Sequence, residues 1–491
     1  MSDVQTVRSI QSHPHLVGLL LVSILGLVLR SISLNSGLWV DEIYSMVNQY
    51  RIPIAELVTS YPGDNQHTFY AILANLSHSI FGEHAWAVRL PALLFGAASI
   101  PALYLLALKV TSKREALLSA LILSVSYHHV WFSQNARGYT ILAFATILGT
   151  YLLIRALSEK HRGMFLAYAS VAALGAYTHL IMVFVVVGHF LVWLWTVASP
   201  PRPEVGWRYP LGGFVLAGVF TLILYAPLLP DVIDYFVNKP SQMVGVSTPL
   251  WALQEAVRML EMGMGAGGLV ILSAVTLVLC VGITSYFRQN ATICALFLAP
   301  VLVTLLGAAA ARGTMYPRFF FFLSGFAILF AVRGSLVTTE FVLQRIFREG
   351  MSDSLRQSLS VLAVCLVVAL STTSLPYNYR YPKMDFVRAI SWVQSKAQPQ
   401  DTIVSAGITS WPINNYFAKD WVSVEDARQL DAVRNRGKRV WMIYAFPDYM
   451  TQALSVAIAE DCREAERFHG TLGGGDVIVC HFSEKPAEVQ S

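Results

Sequence analysis

Charge is scarce in this chain: Asp, Glu, Lys and Arg make up 13% of its 491 residues, against about 25% in ordinary soluble domains. A soluble protein of this length has to cover its surface with more charge than that, so a water-soluble globular fold is excluded. Alternating ten-residue strands are also missing, which removes an outer-membrane barrel. No Gly-rich phosphate loop stands out; Gly473-Gly474-Gly475 reads as a turn between strands. No small-residue cleavage site follows the first apolar run, so Leu16–Leu34 is expected to be a retained helix rather than a signal peptide. No histidine or cysteine spacing compels a metal site, and no nucleic-acid partner is expected.

Apolar residues are what the chain has in excess, at 55%, with a mean hydropathy of +0.54. They come in runs near the ~20 residues that span a hydrocarbon core. In lipid each backbone group must bond within its own segment, so the runs should be helices. Eleven are expected: 16–34, 90–110, 116–131, 139–157, 163–178, 180–198, 210–230, 269–287, 289–311, 317–334 and 356–375. The pair 163–198 is one apolar stretch, split by a tight turn near Tyr177-Thr178-His179. An odd count with a cytoplasmic N-terminus puts the C-terminus outside. The loops then facing the cytoplasm hold most of the arginines and lysines, as the positive-inside rule requires. The first outer loop, 35–88, is acidic: Asp41, Glu42, Glu56, Asp64 and Glu83 against Arg51 alone.

Both long outer loops contain segments expected to lie in the interface plane. In 35–88 this is Gln66–Phe81, with Phe69, Ile72, Leu73, Leu76 and Ile80 at helical spacing; in 231–268 it is Trp251–Met262. After Leu375 the composition turns polar. Short β-rich runs (Thr402–Ala406, Arg439–Tyr444, Asp476–Phe482) alternate there with helix-like segments (Asp385–Lys396, Val424–Asn435). The expected fold is therefore an α-helical polytopic membrane protein, residues 1–375, with a small extracytoplasmic α/β domain, residues 376–491. Cys280, Cys294 and Cys365 fall in apolar helices and read as packing residues. Cys462 and Cys480 lie in the outer domain, where an oxidising compartment permits a disulfide if their Cα atoms come within bridging distance.

The segment with most chemical content is Leu38-Trp39-Val40-Asp41-Glu42. Two adjacent carboxylates sit at the membrane–water boundary, held there by apolar neighbours. Partial desolvation favours the protonated form of such a group and suits it to general-base work. An exposed acidic loop that merely avoids the cytoplasmic side is the plainer alternative.

The order of further motifs then becomes familiar. Gln66-His67-Thr68-Phe69-Tyr70, Phe81-Gly82-Glu83, Arg89-Leu90-Pro91, Ser133-Gln134-Asn135-Ala136-Arg137-Gly138-Tyr139 and Tyr316-Pro317-Arg318-Phe319 follow the acid pair in sequence. Over residues 15–335 the chain resembles the GT-C family 39 glycosyltransferases, which include protein O-mannosyltransferases, and it looks similar to lipid A aminoarabinose transferases. The resemblance implies a polyprenyl-phosphate sugar donor and an inverting displacement. It makes Asp41 the base that deprotonates the acceptor, with Glu42 as support or substitute. The leaving phosphate needs cations, and arginine matches its oxygens. Arg89, Arg137 and Arg318, with Tyr139 and Tyr316 beside them and Arg312 less central, are the candidate donor-phosphate residues. Snorkelling explains many arginines at helix ends, but these lie on the side where positive charge is least expected. His67 and His179 are candidate substrate contacts, or with Asp41 a divalent-metal set. Two departures leave the acceptor open: Gln66-His67-Thr68 stands where familiar members read His-Pro-Pro, and the tail is not a β-trefoil.

A flippase or transporter of lipid-linked sugars is the competing class. It would carry ionisable residues near the bilayer midplane, where these helices are nearly free of charge. A non-catalytic component of a surface-polysaccharide assembly is the third. The reading carried forward is a transferase acting at the outer face of a bacterial inner membrane, taking a glycan, lipid or protein as acceptor.

Overall fold

The computed structural model of the chain describes residues 14–63, 66–159, 161–199, 206–238, 268–310, 317–347, 351–435 and 439–483. A helix occupies each of the eleven expected segments. Among the described residues eight helices are long and apolar enough to cross a membrane, or nine if one bent pair counts as a span. The first, α1 (Pro14–Ser31), buries only Gly26 and Arg30 and exposes Leu16, Val17, Leu20, Leu21 and Ile24. A helix bare to water on that scale would be insoluble; facing lipid, it is where its hydropathy places it.

α2 (Val40–Ser45) and a one-turn π-helix (Met46–Tyr50) follow, then the short α3 (Ile54–Leu57). The expected interfacial helix is α4 (Thr68–Phe81), which buries Tyr70, Ala71, Ala74, Asn75 and Ser77 and leaves Leu76 and Ile80 exposed. Trp251–Met262 lies outside the described residues. α5 (Ala85–Val110) is a long span.

Expected helix 116–131 is two helices, α6 (Lys113–Val125) and α7 (Tyr127–Ser133), bent by 58°. The cause is a guanidinium. Arg30, fully buried at the end of α1, donates to the carbonyls of Leu123 (2.9 Å) and Ser124 (2.9 Å), which the bend frees from helical bonding. It also donates to Ser133 Oγ at 3.1 Å. Freed carbonyls inside a membrane protein require such a partner.

α8 (Tyr139–Glu159) and the expected split pair, α9 (Arg162–Thr178) and α10 (Ile181–Ala198), come next. Helix Arg208–Tyr225 ends before Pro227 rather than reaching 230, since proline has no N–H to continue the ladder. The segment expected at 317–334 opens as a 3-10 turn, Pro317–Leu323, and continues helical to Ile346. It crosses helix Gly268–Gln289 closely at two glycines. A Cβ on Gly334 would meet Val278 O at 1.9 Å, and one on Gly282 would meet Phe330 O at 2.0 Å. Backbones approach this closely only where side chains are absent.

Beyond helix Asp353–Thr372, a strap containing the short helix Leu375–Arg380 leads to a five-stranded sheet of order β2-β1-β3-β5-β4. The strands are β1 (Thr402–Ala406), β2 (Val422–Val424), β3 (Val440–Tyr444), β4 (Arg463–Phe468) and β5 (Val477–Phe482). β1, β2 and β3 run parallel; β5 and β4 are antiparallel to their neighbours. The three expected β-rich runs are β1, β3 and β5, the buried strands. β2 and β4 lie at the edges, largely exposed, without the apolar alternation that marks a strand in sequence. The sheet shares one apolar cluster with the segment that follows α1: Trp39, Ile43, Met46, Tyr50 and Tyr70 pack with Phe386, Ile390, Trp441, Ile443 and Val479.

Cys462 and Cys480 are disulfide-bonded with their Cα atoms 5.6 Å apart, while Cys280, Cys294 and Cys365 are free thiols in helices. Of the five cysteines, three should react with a thiol reagent in denatured, unreduced protein and all five after reduction. Five before reduction would rule the bridge out. Cys480→Ser should lower stability to unfolding by about 3 kcal/mol.

Candidate active site

The site is assembled at the end of the bundle where α1 finishes and α4, α5 and α8 begin. Asp41 and Glu42 both stand in the first turn of α2, where a helix N-terminus favours negative charge. Adjacent helical positions point about 100° apart, so the two carboxylates face different surroundings.

Glu42 faces inward. Its Oε1 accepts from Arg89 Nε (2.8 Å) and Ala136 N (2.6 Å), and its Oε2 from Arg89 Nη2 (2.6 Å) and Trp39 N (3.3 Å). Both side chains are 0% exposed. Arg89 spends its other donors on the carbonyls of Leu34, Ser36 and Gly37. Burial pushes the Glu42 carboxyl up, but the Arg89 guanidinium, Lys383 and the Ala136 N–H outweigh it and hold the group below its usual range. Two expectations change here. Glu42 does not fit a substitute base and Arg89 does not fit a donor-phosphate ligand, because each has its polar atoms saturated by protein. They are a bidentate anchor joining the 34–39 turn, α2, α5 and the loop after α7.

That loop, Ser133–Gly138, is held along its length. Ser133 Oγ accepts from Arg30, and the Gln134 amide donates to the carbonyls of Arg30 (3.0 Å) and Ile32 (2.6 Å). Asn135 Oδ1 accepts from Trp39 Nε1 (3.0 Å), Ala136 N reaches Glu42, and Ala136 O accepts from Tyr50 (2.7 Å). Gly138 N donates to His67 Nδ1 at 2.8 Å. A Cβ on Gly138 would lie 2.4 Å from Thr178 Cγ2 and 2.8 Å from His67 Nδ1, so no larger residue fits.

Arg137 is what this scaffold presents. It is 3% exposed and has no carboxylate partner among the described residues. Its Nη1 is 3.4 Å from Ser45 Oγ, its Nη2 is 3.2 Å from His67 Nε2, and its buried Nε has no partner. Because His67 Nδ1 accepts from Gly138, a neutral ring carries its proton on Nε2, facing Arg137 with a second donor. Burial, then Arg137, His179 and Arg318, push His67 well below its usual range, so the ring is neutral. A buried guanidinium without a counter-ion is costly unless an anion completes it.

Asp41 faces outward, with a fifth of its side chain exposed, and its Oδ2 lies 3.4 Å from Arg318 Nη1. Ser45, one turn on along the same face of α2, contacts Arg137. Tyr139 is buried, its ring 5.2 Å from those of His67 and Phe132. The His179 ring is 4.8 Å from His67, and its Nδ1 accepts from Ile181 N. Tyr316 and Arg312 lie outside the described residues. Asp41, His67 and His179 do not fit a shared metal: both His67 nitrogens face donors and Asp41 pairs with Arg318. Among the described residues no three His, Cys, Asp or Glu side chains converge as a cation site. Sequence reasoning missed Arg30, Ser45, Gln134 and Lys383; of these only Arg30, a charge inside an apolar run, carried a signal.

The fold is similar to that of the GT-C membrane glycosyltransferases. The sequence profile of the dolichyl-phosphate-mannose-protein mannosyltransferase family matches residues 67–230. ArnT from Cupriavidus metallidurans is 12% identical, with a TM-score of 0.52 over 95% of this chain and 97% of that one. The oligosaccharyltransferase of Archaeoglobus fulgidus is also 12% identical, with a TM-score of 0.54 over 91% of this chain and 71% of that one. YkcB of Bacillus subtilis, itself named a mannosyltransferase only provisionally, is 26% identical over 127 residues. That match covers 26% of this chain and 18% of YkcB.

Glu42→Gln should leave the buried Arg89 charge uncompensated and cost about 3–5 kcal/mol, read as a lower unfolding temperature of the purified protein. The Glu42 carboxyl is held below its ordinary value of 4.5 in the fold. Its contribution is therefore present in full above about pH 4.5 and lost as pH falls through the folded value. Wild type should lose stability in that acid range more steeply than Glu42→Gln.

Proposed function

We propose that the protein transfers a sugar from a polyprenyl-phosphate donor to an acceptor hydroxyl or similar nucleophile, with Asp41 as general base. The observation that carries this reading is Arg137: a buried cation with no carboxylate partner among the described residues, contacting the face of α2 that also bears the Asp41–Arg318 pair. A lipid phosphate supplies the missing anion and has its tail in the bilayer. Support comes from a fold neighbour, the archaeal oligosaccharyltransferase AglB, solved in complex with an inhibitory peptide and a dolichol-phosphate. It is 10% identical, with a TM-score of 0.52 over 97% of this chain and 75% of that one.

In the proposed step Asp41 takes the acceptor proton as its oxygen attacks the anomeric carbon. The bond from that carbon to the phosphate oxygen breaks, and polyprenyl phosphate leaves with the electron pair. Arg137 and Arg318 stabilise the departing charge, preorganised in a site largely shielded from water. Inversion follows from the single displacement that the family resemblance implies. Glu42 and Arg89 act as scaffold. The orientation proposed is N-terminus cytoplasmic, in a bacterial inner membrane, with residues 376–491 outside. The Cys462–Cys480 bridge supports that side as the oxidising one.

The test is release of label from radiolabelled polyprenyl-phosphate sugars by purified protein, with a membrane extract as acceptor source. Wild type should release label from one donor. Asp41→Asn should lose about a thousandfold in turnover while binding donor normally. Arg137→Ala should weaken donor binding about 10- to 100-fold. Undiminished turnover by Asp41→Asn would sink the mechanism. Donor crossing vesicle membranes with no label released would favour the flippase.

A further inference from the structure

The strap that joins the last membrane helix to the sheet does more than connect them. Tyr379 donates to Leu29 O at 2.8 Å, and its own carbonyl accepts from Ser33 Oγ at 3.0 Å, which fixes the strap to α1. Asn378 Nδ2 donates to Gln134 Oε1 at 2.7 Å. Lys383 Nζ donates to Gln134 O at 2.6 Å and sits 4.7 Å from the centre of the Trp131 ring. Trp131 Nε1 in turn donates to Thr471 Oγ1 at 3.0 Å, and Thr471 N donates to Pro382 O at 2.9 Å. The strap and the β4–β5 connection thus close around Trp131 and Gln134, three residues before Arg137.

Lys383 is 4% exposed and has no carboxylate within ion-pair distance among the described residues. Its ammonium is held by a carbonyl dipole and an aromatic face, contacts that are strongest while it is charged. Nothing in the proposed chemistry uses it, since among the described residues its ammonium donates only to the back of the Ser133–Gly138 loop.

We propose that Lys383 is a positioning residue for donor binding: it pins the Ser133–Gly138 loop and so presents Arg137 to the lipid phosphate. The strap is then the element through which the C-terminal region sets donor affinity. This rests on the reading of Arg137 as the donor-phosphate site. The other bonds of the loop fix Ser133, Asn135, Ala136, Gly138 and the Gln134 side chain to residues at the end of α1 and in the segment that follows it; Lys383 holds the Gln134 backbone carbonyl, and with Asn378 ties the loop to the C-terminal region. Loss of the Lys383 charge weakens its hold on the Gln134 carbonyl, and the backbone of the next three residues aims Arg137.

A pH signature follows. Burial first, then Arg89, push the Lys383 ammonium down to about 7, against an opposing pull from Glu42. The charged groups facing it are Arg89 on α5 and Glu42 on α2, locked together as a pair, while α7 contributes an indole and a carbonyl. On the strap itself Asp385 is taken by Arg388. The charged contacts are therefore present below about pH 7, half lost near it and gone as pH rises beyond it. A phosphate monoester has its second pKa near 6, so above pH 7 the ligand is already dianionic and its own titration does not mimic the loss.

The experiment is binding of polyprenyl phosphate to the full-length protein in nanodiscs between pH 7 and 9, for wild type, Lys383→Met and Lys383→Arg. Sugar transfer is followed in parallel. Wild-type affinity should fall several-fold across that range. Lys383→Met should bind about tenfold more weakly at pH 7, with KM for donor raised and kcat at saturating donor largely kept. Lys383→Arg, charged throughout, should restore affinity and flatten the profile. Wild-type affinity independent of pH would overturn the proposal however the variants fold. So would Lys383→Met within twofold of wild type, or Lys383→Arg with the wild-type slope. In those cases the transferase reading stands; if wild type binds no polyprenyl phosphate at any pH, both fall.

Discussion

Glu42 and Arg89 lie wholly out of water, and a pair in that position has to satisfy every polar atom or the fold fails locally. The requirement is met by recruiting backbone from three directions: the turn leaving α1, the first turn of α2 and the loop after α7. The positions of Asp41, Ser45 and Arg137 follow from it. Asp41 and Ser45 lie on the face of α2 that Glu42 leaves free, and Arg137 follows Ala136, whose N–H the Glu42 carboxylate holds. Arg30 has a similar role deeper in the bundle, holding α6 and α7 at the angle from which that loop departs.

Buried charge is used here in two distinct ways. Glu42 and Arg89 neutralise one another and are rigid. Arg137 and Lys383 are buried cations with no carboxylate within ion-pair distance among the described residues. Arg137 is the more demanding, because its neighbour His67 offers it an N–H rather than a lone pair. A site arranged in this way is costly for the empty protein and favourable once an anion arrives, which is the arrangement expected where binding energy is reserved for a phosphate. The neutral His67 adds to this: protonated, it would repel Arg137 and compete for the same anion.

Much of the architecture was legible in the chain. Lipid demands long apolar segments, so helix places were clear from Leu16 to Leu375. Where helices break was not, because the partners lie elsewhere in space: Arg30, on another helix, holds the carbonyls that the bend in 113–133 frees. Among the strands, β1, β3 and β5 showed themselves by buried apolar residues, while β4 reads Arg-Glu-Ala-Glu-Arg-Phe and is a strand because β5 offers it a ladder. Asp41, Arg137, Arg318, His67, His179 and Tyr139 all stand out in the sequence and lie close together in the fold. Glu42 and Arg89 stand out with them and belong behind the site.

Composition alone determined that this is a membrane protein, and spacing determined which residue types gather at one end of it. Both follow from local rules, the hydrocarbon thickness and the hydrogen bonds each segment must make within itself. Only the tertiary structure decided which of two neighbouring carboxylates meets solvent and which of three arginines has no carboxylate partner among the described residues. Asp41 and Glu42 differ in surroundings through a turn of about 100° along the helix, and Arg89 and Arg137 differ through partners 47 and 92 residues away. Lys383 lies 249 residues from the carbonyl it holds, a contact that exists only once the sheet has docked.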